Sequence, residues 1–246
     1  MKFGIDLGHG VNPDRGAVGN IAEETIINAV GAKVIAKLKA LGHSVVELRP
    51  SSASSVSNSL WQRYTKANNN NVDMCISIHA NAGGGKGTEI FTYKGKEVKE
   101  ARDVLNNIVS LGFNNRGIKD GSSLAMVKNT SATSMLIEIC FVDTSDSSLY
   151  EQIGAEKISD AIVKGLTGQI VITKKYYIVT NYIKGAYDGY DGVDIKAVLD
   201  SYFTNVKCYV RGNAKGVWIE TQYLSKDKCE QLKSSLGSLF YEIVEE

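Results

Sequence analysis

The feature that most constrains the fold is an alternation of short apolar segments with longer amphipathic segments over residues 2–166. The short segments are rich in β-branched residues, which favours buried strands. The longer segments repeat apolar residues every three or four positions, as Ile27, Gly31 and Val34 do, which is typical of helices packed on one face. Strands that alternate with helices predict an α/β domain, with a mostly parallel or mixed twisted sheet flanked by helices. The predicted strands are 2–7, 44–48, 74–79, 88–93 and 135–139, and the predicted helices are 24–41, 56–67, 97–111 and 150–166.

The pattern changes near residues 167–175. Beyond them the apolar periodicity predicts a strand, a helix, two strands, a helix and a final strand between residues 176 and 244. This β-α-β-β-α-β order is typical of a small ferredoxin-like α+β domain. Ser225 is a favourable N-cap for the second of these helices. We therefore expect two domains, residues 1–170 and 175–246.

Composition and charge exclude several classes of protein. The 246 residues carry a formal net charge of +1 without a basic stripe, so nucleic acid is not an expected partner. No run approaches the roughly 18 apolar residues that a membrane span needs, so no transmembrane segment is expected. The chain starts directly with a predicted strand, without the apolar core of a secretory signal, and we expect cytoplasmic synthesis without such a signal.

The four cysteines, Cys75, Cys140, Cys208 and Cys229, are scattered and form no C-x-x-C pair. Isolated cysteines of this kind are typical of free thiols rather than of disulfides or zinc ligands. We expect a structural role for all of them. This includes Cys140, because no histidine stands near it in the sequence to activate it as a nucleophile.

Two of the three histidines stand where predicted strands end. His9 lies in the run DLGHG (6–10), and His79 lies in SIHAN (77–81). The carboxyl ends of parallel strands meet at one edge of a sheet, where α/β folds build their sites. For this pair a hydrogen-bonded structural role and a metal-binding role both stay open. The third histidine, His43, lies in a predicted helix-to-strand turn, and we expect it to be a solvated surface residue.

Three carboxylates could complete a metal site with these histidines. A catalytic zinc needs about three nitrogen or oxygen ligands and a base beside its open position. Glu23 and Glu24 open the first predicted helix and either could be a ligand, although glutamates there also stabilise the helix dipole. Glu138 stands in the otherwise apolar run LIEICF (136–141). A carboxylate in such a run is costly unless it is paired or functional, which makes Glu138 the candidate base.

The segments that carry these residues resemble the zinc-dependent N-acetylmuramoyl-L-alanine amidases of the amidase_3 family, and clostridial phage endolysins in particular. They are DLGHG at 6–10, EXXXN at 24–28, SIHAN at 77–81 and EICF at 138–141. Arg63 with Ala67-Asn68, GTE at 87–89 and NRGIK at 115–119 are similar to the family as well. Cys140 departs from it, since the family usually has glycine there. The resemblance covers residues 2 to about 168, which is the whole predicted first domain.

The resemblance implies a set of metal ligands. These are His9, Glu24 and His79, holding Zn²⁺. Glu24 is preferred to Glu23 because the family's ligand glutamate stands four residues before an asparagine, here Asn28.

The resemblance also implies the reaction, which is metal-assisted hydrolysis of the amide between N-acetylmuramic acid and L-alanine in peptidoglycan. Glu138 would be its catalytic acid/base. Arg116 and Lys119 are candidates for binding stem-peptide carboxylates, although surface salt bridges would explain them equally well. Asn81 is the third candidate for contact with the substrate. A zinc peptidase that cuts within the stem peptide and a wall-binding protein with a degenerate site are the alternatives.

The absence of a predicted signal bears on how such an enzyme would reach the wall. Family members made without one are phage endolysins, which are released through a holin, and their prophage relatives. We therefore expect an endolysin that lyses its host, with a host autolysin that remodels the wall as the alternative.

The predicted second domain resembles SPOR-type domains, which bind glycan, and we expect it to bind the cell wall. Aromatic residues number eight before residue 170 and 12 after it. Such rings suit stacking on sugars, whereas packing in the core would explain about half of them. Dimerisation or regulation through this domain is the alternative. The aromatic residues considered for stacking are Tyr176, Tyr177, Tyr182, Tyr187, Tyr190, Trp218 and Tyr223.

Overall fold

The computed structural model describes residues 1–171, 174–185 and 192–246. The chain divides into two compact units, Met1–Val171 and Ile172–Glu246. Tyr187 and Tyr190, two of the residues considered for sugar stacking, lie outside the described residues. Within the described ranges, no helix combines the length and the apolar character that crossing a membrane requires.

The first unit is a six-stranded sheet with helices on both faces. Its strands are β1 (Lys2–Leu7), β2 (Ser44–Glu47), β3 (Met74–Asn81), β4 (Thr88–Thr92), β5 (Asn115–Asp120) and β6 (Thr133–Phe141). Its helices are α1 (Glu23–Ala40), α2 (Val56–Asn69), α3 (Lys99–Val109), α4 (Ala125–Lys128) and α5 (Ser145–Thr167).

The strand order in this sheet is β2-β1-β3-β6-β4-β5. Neighbouring strands pair in parallel, except that β4 and β6 are antiparallel. The prediction of a mostly parallel or mixed sheet flanked by helices is therefore confirmed. Because β1, β3 and β6 run in the same direction, the residues at their carboxyl ends lie along one edge of the sheet.

The helices pack on the two faces of the sheet. The larger core lies between the sheet and helices α1, α3 and α5, and includes Ile26, Val34, Ile76, Ile137 and Ile162, all fully buried. Complete burial of each such side chain contributes about 1.5–3 kcal/mol. A smaller core under α2 and α4 covers the other face. The strands that carry the candidate site residues are therefore covered by helices on both faces of the sheet.

The sequence did not predict strand β5, and it started α5 too late. The β5 segment NRGIKD is polar and partly exposed, because this strand lies at the edge of the sheet. An edge strand with little buried surface lacks the apolar alternation by which strands are predicted. The first turn of α5, in the run SDSS, is likewise polar and gives no periodic signal.

In its described residues, the second unit is an antiparallel sheet with two α-helices. Its strands lie in the order β10-β7-β9-β8. The chain order is β-α-β-β-α-β, as predicted. Ser225 caps α7, because its hydroxyl accepts a hydrogen bond from the Lys228 amide at 3.2 Å. The elements are β7 (Tyr176–Thr180), α6 (Ile195–Tyr202), β8 (Cys208–Asn213), β9 (Gly216–Thr221), α7 (Lys226–Leu236) and β10 (Phe240–Glu245).

Candidate metal centre and its surroundings

The two histidines at the strand ends are in contact. His9 follows β1 and His79 lies near the end of β3, with ring centroids 4.9 Å apart in an edge-to-face arrangement. Glycine at position 8 permits this approach, since a Cβ there would lie 2.3 Å from His79 Cε1. His9 itself has a φ of 52°, a left-handed conformation that few non-glycine residues adopt. The backbone conformation at Gly8 and His9 therefore allows the two imidazole rings to lie next to each other.

Glu23 completes the group. It is the first residue of α1, is only 4% exposed, and places Oε1 3.0 Å from His79 Nδ1 and 3.6 Å from His9 Nε2. Backbone amides of Ala17 and Ala80 donate to its two carboxylate oxygens, at 3.0 and 3.1 Å. One ligand atom from each of the three side chains lies within 4.8 Å of the others.

The structure corrects the expected position of Glu24. Its carboxylate accepts two hydrogen bonds from the exposed Arg15 guanidinium, at 2.7 and 2.9 Å, and does not join the histidines. Successive residues on a helix differ in direction by about 100°, so only one of two adjacent glutamates can face the sheet edge. The sequence held a signal for this choice. Ile26 and Ile27, three and four residues after Glu23, are fully buried, whereas Asn28, four after Glu24, is exposed.

Asp14 orients His9 and was missed by the sequence analysis. Its Oδ1 lies 2.8 Å from His9 Nδ1, and a carboxylate there fixes the tautomer in which Nδ1 carries the proton and Nε2 is free for a metal. Ser59 Oγ donates to the other oxygen at 2.7 Å. Burial would raise the pKa of Asp14, but hydrogen bonds from Ser59 and His9 and the charge of Arg63 outweigh it, so the pKa is lowered.

Arg63 connects β1, the His9 backbone and Asp14 through hydrogen bonds. It is 1% exposed and donates to Asp6 Oδ1 at 2.6 Å and to the carbonyl oxygens of Leu7 and His9 at 2.7 Å. Its contact with Asp14 is 3.3 Å. The arginine that resembled a family feature is thus a buried support for the β1–His9 backbone. Arg63 is not a candidate metal ligand; it supports the site by holding the His9 backbone and Asp14 in place.

These side chains fit a metal ion by their chemistry. Two histidines and one glutamate form one of the ligand sets of catalytic zinc sites, and a carboxylate hydrogen-bonded to a ligand histidine is the usual outer partner. A buried carboxylate oxygen without a protein partner, Glu138 Oε2, adds a polar group that the protein alone does not satisfy. The residues present could therefore hold a divalent cation such as Zn²⁺.

Glu138 stands beside this group. It lies on β6 directly opposite His79 of β3 in the parallel register. Burial raises its pKa to about 7. His79 opposes this shift, and the negative charges of Glu23 and Glu89 add to it. A carboxyl group in this position can hold or release a proton near neutral pH.

The three expected substrate-binding residues converge on one buried carboxylate. Glu89, on β4, is 3% exposed and accepts hydrogen bonds from Asn81 Nδ2 at 2.8 Å, Arg116 Nε at 2.7 Å and Lys119 Nζ at 2.5 Å. It lies opposite Glu138 in the antiparallel register. Sequence reasoning had given Glu89 no role, although the segment GTE that contains it formed part of the resemblance.

The cysteines and His43 lie outside this group. All four cysteines are free, as expected, and Cys75, Cys140 and Cys229 are buried. Burial raises the pKa of Cys140 to about 12, which leaves little nucleophilic thiolate. The expectation for His43 was wrong, since its ring packs edge-on against Phe3 at 5.3 Å and is only partly exposed.

The second unit carries a cleft of about 360 Å³. The rings of Tyr182 and Trp218 meet edge-to-face there at 5.9 Å, and Asn213 Nδ2 donates to the Tyr182 hydroxyl at 3.1 Å. Its walls combine aromatic rings with amide groups, so the cleft offers both apolar ring surfaces and hydrogen-bonding groups. The lining residues are Val179, Thr180, Asn181, Tyr182, Asn213, Trp218 and Tyr241.

The fold and site of the first unit define an α/β domain with a His–Glu–His candidate metal centre and an adjacent buried glutamate. Residues 4–168 match the Amidase_3 family of N-acetylmuramoyl-L-alanine amidases. The chain therefore belongs to this family, which confirms the resemblance seen in its motifs.

Relatives of known name include a phage protein and a bacterial one. The endolysin of Bacillus phage SPP1 is 31% identical over 156 residues, which are 58% of this chain and 56% of that protein. N-acetylmuramoyl-L-alanine amidase CwlM of Bacillus licheniformis is 29% identical over 169 residues, or 67% of this chain and 65% of CwlM. The chain thus spans about half to two thirds of the length of these relatives.

A solved structure shows the same fold. The catalytic domain of the CD27L endolysin, which targets Clostridia Difficile, superposes with a TM-score of 0.63. The match covers 70% of this chain and 99% of that domain, at 23% sequence identity.

Proposed function

We propose that this protein hydrolyses the amide bond between N-acetylmuramic acid and L-alanine in peptidoglycan, with Zn²⁺ held by His9, Glu23 and His79. The observation that carries the proposal is the arrangement of these three side chains with Glu138 directly opposite His79. Membership of the amidase family and similarity to the amidase CwlM support the choice of bond.

The residues divide the chemistry between them. Zn²⁺ supplies polarisation of the scissile carbonyl and a lowered pKa of water at such sites. Glu138 takes the proton of the attacking water and returns it to the departing alanine nitrogen. Its buried, unpartnered Oε2 is the acceptor that this step needs. Asp14 keeps His9 in the tautomer that leaves Nε2 available as a ligand.

Digestion of purified clostridial walls tests this proposal. New amino groups on L-alanine should appear, vanish with a zinc chelator, and return when zinc is restored. The variant Glu138→Gln should lose hydrolysis by at least about 100-fold while keeping its zinc. New ends at another stem residue would instead identify a zinc peptidase. No new ends on several wall types would leave a wall-binding protein.

We further propose that the enzyme acts as a phage or prophage endolysin on the wall of its host. Similarity to the SPP1 endolysin supports this role, whereas similarity to the bacterial CwlM supports a host autolysin. Expression in clostridial cells with and without a holin separates the two. Lysis only with the holin supports the endolysin, and wall turnover without it supports the autolysin.

For the second unit we propose binding to the cell wall through the cleft of Tyr182 and Trp218. The edge-to-face pair and the adjoining amides support a sugar ligand. Trp218→Ala in the full chain should reduce sedimentation with purified walls, whereas Trp61→Ala, at an exposed tryptophan of the first unit, should not. Unchanged sedimentation together with a loss of dimers in Trp218→Ala would instead assign this surface to oligomerisation.

A further inference from the structure

Four functional side chains lie on four neighbouring strands of the first unit's sheet. The strand order β3-β6-β4-β5 carries His79, Glu138, Glu89 and Arg116 in turn. His79 is opposite Glu138, and Glu138 is opposite Glu89. Since adjacent strands are about 4.8 Å apart, the backbone of Arg116 is about 10 Å from that of Glu138. The row thus extends from the candidate metal centre to a pair of cations.

Both cations, Arg116 and Lys119, are held by the carboxylate of Glu89. Its carboxylate is 3% exposed, and both Arg116 and Lys119 donate to its Oε2. One cation would be enough to neutralise a buried carboxylate. The second leaves a surplus positive charge, and both cations are partly exposed, with 33% and 39% of their side chains accessible.

The Arg116 guanidinium is held in a defined orientation. Its Nε is bound to Glu89, and its central carbon lies 4.8 Å from the centroid of the Phe141 ring. Within the part of the chain that the structure describes, Nε is the only guanidinium nitrogen of Arg116 with a hydrogen-bond acceptor. The two Nη groups are therefore available, side by side, for a bidentate contact with a carboxylate.

We propose that Glu89 is a positioning residue that presents Arg116 to a substrate carboxylate close to the scissile amide, so that the enzyme distinguishes stem peptides with a free carboxylate from those with a carboxamide at this point. The inference rests on the proposed function, since it needs the stem peptide to lie along this row.

The distance from Glu138 to Arg116 indicates that the carboxylate belongs to the residue that follows L-alanine in the stem peptide. An extended peptide advances about 3.3–3.6 Å per residue, so a carboxylate one residue beyond L-alanine lies within the reach of a long arginine side chain. Asn81, at the end of β3, donates a hydrogen bond to the other carboxylate oxygen of Glu89, Oε1. The cluster is therefore braced from two strands and can hold Arg116 in place before substrate binds.

Two synthetic muramoyl peptides of the same sequence test the proposal. One carries a free carboxylate on the residue after L-alanine, and the other carries a carboxamide there. Wild-type enzyme should show a kcat/KM about 10- to 100-fold higher for the free acid, as expected for a charge-assisted pair of hydrogen bonds. Arg116→Gln and Glu89→Gln should bring the ratio of the two kcat/KM values close to one, mainly through KM. Arg116→Lys should keep only part of the preference for the free acid, because lysine cannot donate two parallel hydrogen bonds to one carboxylate. Arg102→Gln, at an exposed arginine of α3, is the matched control and should keep the wild-type ratio.

The outcomes separate this inference from the function on which it rests. If wild-type enzyme cleaves neither peptide at the lactyl amide, the proposed function fails. If it cleaves both with equal kcat/KM, or if Arg116→Gln retains the preference, the function stands and the role of Arg116 is wrong. Should Glu89→Gln fail to fold, the surface variant Arg116→Gln still decides the question. The zinc content of every variant is measured as a control, to check that the metal centre is intact.

Discussion

Replacing each of the two adjacent glutamates of α1 by glutamine should have different consequences for zinc affinity. Glu23→Gln keeps the shape of the side chain but removes the charge of a ligand that lies 3.6 Å from His9 Nε2 and 3.0 Å from His79 Nδ1. Loss of an outer partner of a metal ligand typically costs about 10- to 100-fold in metal affinity, so loss of the ligand itself should cost at least about 100-fold. Glu24→Gln removes a contact with the exposed Arg15 and should leave zinc affinity unchanged.

Competition with a chromogenic chelator measures both affinities on purified protein, and the metal content after dialysis provides a second reading. Circular dichroism confirms that both variants are folded. Equal loss of zinc in the two variants, or a loss confined to Glu24→Gln, would refute the ligand assignment drawn from the structure. It would also restore the ligand that the spacing to Asn28 had indicated.

Three further substitutions test how the site is supported. Asp14→Asn should weaken zinc binding by about 10- to 100-fold, as measured by the same competition, because it no longer fixes the His9 tautomer; unchanged affinity would contradict this role. Arg63→Met leaves the buried Asp6 and Asp14 without their cation and should cost about 3–5 kcal/mol, which lowers the Tm by about 6–20 °C in thermal unfolding. The exposed Arg102→Met should change the Tm little, and an equal shift in both variants would argue against the buried network. Gly8→Ala places a methyl group 2.3 Å from the His79 ring and should abolish zinc retention; a variant that keeps zinc would show that the rings have room to separate.

Much of the fold was predictable because its signals are local. A buried parallel strand such as β3 is marked by a short continuous apolar run, and an amphipathic helix such as α3 by apolar residues three or four positions apart. The sequence located both within a few residues. Strand β5 escaped detection because its pairing with β4 is decided by tertiary contacts rather than by its own polar sequence.

The site shows the same division. His9, His79 and Glu138 could be selected as candidates from the sequence because each is unusual where it stands, at a glycine-flanked strand end or in an apolar run. The expectation of Glu24 relied on the spacing to an asparagine, whereas the structure places Glu23, on the buried face of the helix, beside the histidines. Asp14 and Glu89 gave no signal, since each makes hydrogen bonds with side chains distant in sequence, such as Ser59 for Asp14 and Arg116 for Glu89.

Incubation of a soluble disaccharide pentapeptide with wild-type enzyme and with Glu138→Gln, followed by mass spectrometry, shows directly which bond is cleaved and whether Glu138 is needed. Wild type should release the intact pentapeptide and the free disaccharide, and zinc-loaded Glu138→Gln should do so at least about 100-fold more slowly. Release of a shortened peptide with the muramoyl amide still intact, or full activity in Glu138→Gln, would contradict the proposed function.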